Sequence, residues 1–360
     1  MQALLAALAI LAPPAVGSGC SGDPKDDPTD GGDPTDGGDT DTDSDDRPDG
    51  GQDTWSVTFF LVADTHCDPP ADMDHYATAN AVDRVAAEGI WPEEIDSEAT
   101  GFDPDPVGVP AGVIFAGDIT GSGDVSPWHD ELECFRQFYE AEYSPDAISF
   151  DAYVGLGNHD LDRDGLEADL YRSKMWGYVE ERHSGAGAPV PVASFDPASM
   201  DYSWDWGGLH LAMTHKWAGD TTHDHPSGLD WLAQDLDQNA SSGRPVAIVQ
   251  HYGMDAFGQQ DRWWTDGDRE DLAGILAGHE VAMIMAGHTH FAMTYQWNGI
   301  QVVQANNAKA EIDEGNDDGN GSFAVIRIGD FGIWMVTCRW LDGDGNFEMV
   351  APFLSIPSCR

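Results

Sequence analysis

Residues 57–66 read VTFFLVADTH and join a run of apolar residues to a short polar cluster. A strand with one face in water alternates apolar and polar residues, whereas a near-continuous apolar run suits a strand covered on both faces. The run therefore predicts a buried strand whose polar cluster begins where the strand ends. The same pattern recurs in later segments, GVIFAGD at 112–118, AYVGLGNHD at 152–160, PVAIVQH at 245–251 and VAMIMAGHTH at 281–290.

The segments between these strands space their apolar residues as amphipathic helices do. They lie at 76–88, 128–142, 228–237 and 269–277. Toward the C-terminus this pattern gives way to strands at 300–303, 323–328, 333–341 and 347–352, joined by Gly/Asp turns. Strands that alternate with helices indicate an α/β fold. We predict a four-layer α/β/β/α sandwich in which two mixed β-sheets pack face to face, with helices outside.

The N-terminus has the layout of a secretory signal peptide over residues 1–20, because an apolar run too short to span a bilayer precedes small residues. Gly17-Ser18-Gly19-Cys20 resembles a bacterial lipobox, although position 17 is Gly rather than the usual Leu and no Lys or Arg precedes the apolar run. Lipidation of Cys20, simple cleavage and a wrongly assigned start codon are the alternatives. We expect an exported protein, either a cell-envelope lipoprotein or a secreted protein.

Residues 21–53 consist almost entirely of Asp, Gly, Pro, Thr and Ser, and the hexapeptide DPTDGG occurs there twice in tandem. No apolar side chain in this segment can offset the entropy lost on ordering. We expect a disordered, self-repelling tether, followed by one folded domain over residues 54–360. A calcium site in the Asp repeat is disfavoured, because the repeat lacks the spacing of a defined calcium loop.

The charge of the whole chain restricts its partners. The formal net charge is -49 and the isoelectric point is near 4.1. A surface so acidic repels phosphate polymers, so we expect no nucleic-acid partner. Contact with a membrane is expected only through an N-terminal lipid anchor, and the partner that remains is a small substrate.

Four cysteines follow Cys20, and an even count in an exported protein permits two disulfides. We expect Cys67 to pair with Cys134 and Cys338 with Cys359, because each pair falls within one half of the chain. Buried thiols remain the alternative, because sequence alone cannot choose among the connectivities. A thiol at Cys67, directly after His66, could be oxidised or compete for a metal ion.

The polar clusters at the strand ends are the candidate site, because active sites of α/β sheets form beyond the carboxyl ends of strands. Carboxylate, imidazole and amide oxygen suit divalent ions such as zinc, manganese and iron. Two ions about 3.5–4 Å apart need a bridging carboxylate. Asp118 suits that position, because Gly117 permits a close backbone approach. The clusters are Asp64-Thr65-His66, Gly117-Asp118, Gly157-Asn158-His159-Asp160, His251 and Gly287-His288-Thr289-His290.

The ordered set DxH, GD, GNHD, H and GHxH resembles the calcineurin-like metallophosphoesterase superfamily over roughly residues 57–336. The resemblance implies a phosphoester hydrolase with two divalent metal ions, Mn, Fe or Zn. Asp118 would bridge the metals, a hydroxide held between them would attack phosphorus in line, and His159 would protonate the leaving oxygen. The implied ligands are Asp64, His66 and His290 for the first metal, and Asn158, His251 and His288 for the second.

The residues around the bridging Asp refine the resemblance. Purple acid phosphatases carry a Tyr three residues after that Asp, but this chain has Gly121. The run GDITGSG at 117–123 is more similar to bacterial cyclic-nucleotide and glycerophosphodiester phosphodiesterases, which favours diester or mixed activity. A phosphomonoesterase resembling an acid phosphatase or a nucleotidase remains open. So does a non-catalytic acidic lipoprotein that binds calcium or a partner.

Further residues are candidates for substrate contact. We predict His215, Lys216 and Trp263 as such candidates, because they lie near the metal motifs in sequence. Trp263 and Trp264 could wall the cleft against an apolar leaving group or pack in the core. His223 and His225 could line the pocket or belong to a solvated loop. Residues 160–165, DLDRDG, imitate the start of a calcium loop, but Tyr171 replaces the Glu expected at its twelfth position.

Overall fold

Two β-sheets form the centre of the computed structural model, which describes residues 55–69, 73–92, 95, 106–163, 165, 167–241, 243–254, 263–309 and 320–357. The predicted signal peptide, Cys20 and the predicted tether lie outside these residues. Residues 53–358 form one compact unit. No helix in the described part of the chain is long and apolar enough to cross a membrane.

The strands agree with the predicted order and add several that the sequence did not reveal. Their bounds are β1 Ser56–Val62, β2 Val113–Ala116, β3 Val125–Ser126, β4 His129–Asp130, β5 Ala152–Gly155, β6 Ser194–Phe195, β7 Tyr202–Trp206, β8 Leu209–Met213, β9 Val246–Val249, β10 Val281–Ala286, β11 Met293–Trp297, β12 Ile300–Gln304, β13 Ser322–Gly329, β14 Gly332–Trp340 and β15 Phe347–Pro357.

Along the chain, the helices alternate with strands of the two sheets. Their bounds are α1 Met73–Glu88, α2 Glu131–Tyr139, α3 Asn158–Leu161, α4 Ala168–His183, α5 Leu229–Asn239 and α6 Asp266–Leu276, with a 3₁₀ helix at Thr222–Asp224. The predicted helix 128–142 begins later than expected, because residues 125–130 form the β3–β4 hairpin. Asp130 ends that hairpin and caps α2, since its side chain accepts a hydrogen bond from the Glu133 N–H.

Both sheets mix parallel and antiparallel strands, as predicted. The first has the order β15-β14-β13-β1-β2-β5, and the second has the order β11-β12-β10-β9-β8-β7-β6. Strands β1, β2 and β5 are parallel to one another, and β8, β9, β10 and β12 are parallel in the second sheet. The carboxyl ends of each parallel set therefore lie at one edge of its sheet.

Burial on both faces explains the apolar strands. In β9, Ala247 and Val249 belong to the core shared with the first sheet, whereas Val246 and Ile248 pack among residues of α5 and α6. Aromatic rings join the two sheets, since Phe59 lies 5.3 Å from Trp206 between ring centroids. On the other side of the first sheet, α1 and α2 contribute to the same core. This is the predicted four-layer α/β/β/α sandwich.

The cysteines differ from the expected disulfides. Cys67 and Cys134 are both buried thiols, although their sulfur atoms lie within 4.8 Å of each other. The expected Cys67–Cys134 disulfide is therefore wrong for this structure. Cys338 is a buried thiol on β14, and its expected partner Cys359 lies outside the described residues.

Candidate metal site

Loops from both sheets bring the predicted polar clusters together. Asp64 and His66 follow β1, and Asp118 follows β2. The remaining candidate ligands follow β5, β9 and β10 at the carboxyl ends of parallel strands: Asn158, His251, His288 and His290. The candidate site therefore lies where α/β proteins commonly place their ligands.

The first group of side chains contains Asp64, His66 and His290. Their ligand atoms lie within 4.8 Å of one another. The Nε2 atoms of His66 and His290 are 3.2 Å apart, and Nε2 of His290 is 3.5 Å from Oδ1 of Asp64. The Asp64 carboxylate also accepts the backbone N–H of His288 at 2.9 Å, which ties the loop after β1 to the loop after β10.

The second group converges on Nε2 of His251. Oδ2 of Asp118 lies 3.1 Å from this nitrogen, and Oδ1 of Asn158 and Nδ1 of His288 each lie 3.2 Å from it. Nε2 can carry at most one proton, so hydrogen bonding cannot satisfy all three neighbouring lone-pair atoms at once. A cation at the centre of these atoms would satisfy them together.

Asp118 belongs to both sides of the site. Its carboxylate groups with His251 and His288 on one side, and with His66 and His159 on the other. Burial alone would raise the pKa of Asp118, but the charge and the hydrogen bond of His251 lower it well below its ordinary range. A fully buried carboxylate shared between two sets of imidazoles is the arrangement that a bridging ligand requires.

The far side of the His251 ring fixes its orientation. Nδ1 lies 2.8 Å from the carbonyl oxygen of Ala116, and this nitrogen must donate because a carbonyl can only accept. Nε2 is thereby directed at Asp118, as the second hydrogen bond of a metal-binding histidine commonly directs its ligand atom. Burial lowers the pKa of His251, but Asp118 outweighs burial and raises it to about 9.

Two glycines of the motifs are required by close contacts. A Cβ added to Gly157 would lie 2.2 Å from Oδ1 of Asp118, and one added to Gly117 would lie 2.6 Å from Nδ1 of His251. This agrees with the prediction that Gly117 permits a close approach. Several site residues also have left-handed backbone, a conformation that non-glycine residues adopt mainly at functional sites. These residues are Asp64, His66, Asp118, His288 and His290.

The donors present fit a pair of divalent ions. Each group combines imidazole nitrogen with carboxylate oxygen, and the second adds an amide oxygen. Asp118 lies within 4.8 Å of a ligand atom from each group, His66 in the first and His251 in the second. Neither group contains a sulfur donor, which is the composition of a catalytic rather than a purely structural zinc site.

His159 is exposed beside these groups. Its Nδ1 donates to the carbonyl oxygen of Gly121 at 2.7 Å, and its backbone N–H donates to Oδ1 of Asp118 at 2.8 Å. Its ring meets the ring of His66 edge to face at 4.6 Å. Because Nδ1 is engaged by the carbonyl, Nε2 is the ring nitrogen that can exchange a proton with a bound molecule.

Asp160 is a residue of the site that sequence analysis did not assign. It is buried and accepts hydrogen bonds from the backbone N–H of Gly157 at 2.7 Å and from the Thr120 hydroxyl at 2.6 Å. Burial, followed by the charge of Asp118, raises the pKa of Asp160 to about 7. Asp160 therefore joins the Asp118 loop to the Asn158 loop. Its position two residues after Asn158 was the only available signal.

Two of the predicted substrate contacts, His215 and Lys216, have buried side chains, and a contact of either with substrate stays a prediction. His215 is buried, with Nδ1 accepting the backbone N–H of Leu156 at 3.1 Å and Nε2 donating to the carbonyl of Met200 at 2.9 Å. Lys216 is also buried, and its ammonium group lies 2.8 Å from both Asp162 and Asp220. The polar atoms of both side chains bind partners within the protein, because a buried polar group without a partner is costly.

The two adjacent tryptophans have different positions. Trp264 is buried in the core beneath α6, as the alternative interpretation expected. Trp263 is partly buried, and its ring meets the ring of His288 edge to face with centroids 4.3 Å apart. Tyr252 completes this aromatic wall, since its ring lies 4.7 Å from His288. A contact between Trp263 and substrate stays a prediction.

The other two candidate histidines, His223 and His225, make contacts with residues that do not belong to either ligand group. His223 is exposed and lies 3.3 Å from Asp162, as a solvated loop would have it. The ring of His225 stacks on that of Trp176. Asp160 and Asp162 are occupied by the contacts given above, and Asp164 lies outside the described residues, so the calcium-loop alternative is not supported.

Comparisons with known proteins found similarity at the level of family and fold. The family model described as calcineurin-like phosphoesterase matches residues 57–292. A protein of Rhodococcus erythropolis described as a probable cyclic nucleotide phosphodiesterase is 26% identical over 249 residues, 68% of each chain. Among solved structures, GAP50, the anchor in the inner membrane complex of Plasmodium, aligns at 11% identity over 85% of this chain and 90% of that chain, with a TM-score of 0.54. A dimetal phosphatase from Danio rerio aligns at 15% identity over 82% and 98%, with a TM-score of 0.51. At these identities the two structures show the fold alone.

Proposed function

Because the chain belongs to the calcineurin-like phosphoesterase family, we propose that it hydrolyses small phosphodiesters, or diesters and monoesters together, at a binuclear metal centre. The observation that carries the proposal is the position of Asp118 between the two groups of candidate ligands. A single ion would not require a carboxylate shared in this way.

The assignment of ligands follows from the two groups. Asp64, His66 and His290 would hold one ion, and Asp118 would bridge it to the other. The second ion would be held by Asn158, His251 and His288. When bound, two divalent ions lower the pKa of a water molecule and neutralise charge on the phosphate.

His159 is proposed as the general acid. The Gly121 carbonyl orients its ring, so Nε2 can donate a proton to the leaving oxygen as the ester bond breaks. Its exposure allows contact with a substrate, whereas the candidate ligands Asp64, Asp118 and His251 are buried. Asp160 acts through other residues, because it positions Thr120 and Gly157 and is itself buried.

Two observations favour a diester with an aromatic or apolar leaving group. The Rhodococcus protein is described as a probable cyclic nucleotide phosphodiesterase, and the run GDITGSG resembles that class. Trp263 and Tyr252 place aromatic surface beside His288, where a base or another flat group could stack. Lys216, the nearest basic candidate in sequence, is paired with carboxylates, so it offers no free charge for a second phosphate.

The proposal extends to the cellular setting. The signal-like residues 1–20 and the Asp-rich residues 21–53 support an exported enzyme, held on a tether if Cys20 is lipidated. The net charge of -49 supports a small substrate rather than a nucleic-acid polymer.

Hydrolysis of two chromogenic substrates tests the proposal. Chelator-treated protein is supplied with manganese and assayed on bis-p-nitrophenyl phosphate and p-nitrophenyl phosphate. We expect metal-dependent turnover that is faster on the diester and is lost in an Asn158→Ala variant. Turnover on the monoester alone would favour the phosphomonoesterase alternative. If neither substrate is hydrolysed, or the variant equals the wild type, the enzymatic proposal is wrong.

A further inference from the structure

Two cysteines and a histidine form a second cluster of metal-binding side chains, apart from the candidate ligands. Cys67 lies in the loop after β1, His75 lies on α1, and Cys134 lies on α2. Their ligand atoms lie within 4.8 Å of one another. All three side chains are buried, with exposed fractions of 0% for Cys67, 1% for His75 and 5% for Cys134.

We propose that Cys67, His75 and Cys134 bind a third metal ion, a thiophilic divalent cation such as zinc, at a structural site. Zinc binds sulfur at about 2.3 Å and imidazole nitrogen at about 2.0–2.1 Å, so a tetrahedral ion holds an S and an N ligand about 3.6 Å apart. Sγ of Cys67 lies 3.7 Å from Nδ1 of His75. The pair is therefore already at the separation that a shared ion requires.

The buried phenol of Tyr139 can supply the fourth donor of a tetrahedral site. Tyr139 lies on α2 with Cys134, and its hydroxyl oxygen is 3.2 Å from Nδ1 of His75. Two sulfurs, one nitrogen and one oxygen would then surround the ion. On binding, the two thiols release their protons to solvent and the thiolates coordinate the metal.

The proposed ion would support the candidate binuclear centre without belonging to it. Cys67 directly follows His66, and its backbone pairs with the loop after Asp118 through bonds to Ile119 at 3.0 Å and from Gly121 at 3.1 Å. An ion on the Cys67 side chain would also fasten this double loop to α1 and α2. Soft sulfur donors favour zinc over manganese, so the two kinds of site differ in preferred metal.

Cobalt substitution tests this inference independently of the proposed function. Full-length protein, purified with a non-thiol reductant, is stripped of metal and titrated with cobalt(II). We expect a near-ultraviolet sulfur-to-cobalt charge-transfer band that saturates by three equivalents of cobalt per chain, because two of these equivalents can fill the candidate binuclear centre. The candidate binuclear centre cannot produce this band, because its ligands are nitrogen and oxygen. An Asp118→Asn variant should therefore keep the band.

Matched serine variants locate the site. A Cys134→Ser variant should lose the band and one equivalent of zinc by elemental analysis, whereas a Cys338→Ser variant, altered at a buried thiol on β14, should keep both. If the wild type gives no band, or if both serine variants bind equal zinc, the inference is wrong. Detection of a Cys67–Cys134 disulfide in the native protein by mass spectrometry would equally overturn it. If the wild-type protein gives the sulfur-to-cobalt band but hydrolyses neither chromogenic substrate, only the proposed function is wrong.

Discussion

Replacement of Gly117 by Ala should damage the candidate metal site through one added methyl group. Gly117 has φ +89°, and the added Cβ would lie 2.6 Å from Nδ1 and 2.8 Å from Cβ of His251. The left-handed backbone costs an L-residue about 1–2 kcal/mol, and overpacking typically costs about 1–3 kcal/mol. We therefore expect the free energy of unfolding to fall by about 2–5 kcal/mol. Relief of the contact would move His251 away from Asp118, so turnover should be lost as well.

Gly185 provides the matched control. Its φ is +83°, but an added Cβ would meet no atom within 4 Å. A Gly185→Ala variant should lose only the backbone contribution, about 1–2 kcal/mol, and keep full turnover. Stability is measured by urea unfolding with chelator present, so that metal binding does not contribute, and turnover is measured with added manganese. Equal stability losses in the two variants, with turnover retained in both, would refute the steric argument.

The remaining predictions concern the proposed acid His159, the buried carboxylate of Asp160, and the pH-dependent contacts of His210. A His159→Ala variant should lose about 10²–10⁴-fold in kcat, and the loss should be larger for an alkyl leaving group than for p-nitrophenolate, which needs little protonation. An Asp160→Asn variant should bind manganese about 10–100-fold more weakly in a calorimetric titration, because Asp160 holds two ligand loops. Burial lowers the pKa of His210, but its hydrogen bonds with Asp235 and Asp205 outweigh burial and raise that pKa above its ordinary 6.5. The stability from these two hydrogen bonds should be fully present below pH 6.5 and fall as the pH rises through the raised pKa of His210. A His210→Asn variant should flatten this slope in urea unfolding.

Each of these predictions has an outcome that contradicts it. A His159→Ala variant with equal losses for both leaving groups would show that His159 does not protonate the leaving oxygen. Unchanged manganese affinity in Asp160→Asn would show that the loops hold their positions without that carboxylate. The same pH slope in His210→Asn and wild type would assign the slope to another group.

The architecture was predictable from the sequence because the same apolar pattern recurs along the chain. Each buried strand is a near-continuous apolar run, and each run ends in a polar residue such as Asp64 or His251. Such runs need cover on both faces. The change from alternating strands and helices to successive strands toward the C-terminus then indicated two mixed sheets with helices outside. The glycines in the GD and GN motifs were informative as well. An added Cβ at Gly117 or Gly157 would collide with His251 or Asp118, so these positions require glycine.

Other features around the site depend on properties that sequence proximity does not determine. His215 and Lys216 stand near the motifs in the chain, but burial directs their polar atoms to Leu156, Met200 and nearby carboxylates. Trp263 and Trp264 are adjacent, yet successive side chains face different surroundings, so one reaches His288 and the other the core. The thiol cluster escaped notice because His75 gave no motif of its own, and only the packing of α1 against α2 brings it to the cysteines.

The central claim is that Asp118 lies between two metal ions, and electron paramagnetic resonance of the manganese-loaded protein tests it most directly. Two manganese ions that share the Asp118 carboxylate should give the signal of an exchange-coupled pair in the wild type. An Asp118→Asn variant should give only uncoupled manganese. Uncoupled manganese in the fully loaded wild type, or a coupled pair that persists unchanged in the variant, would contradict the account.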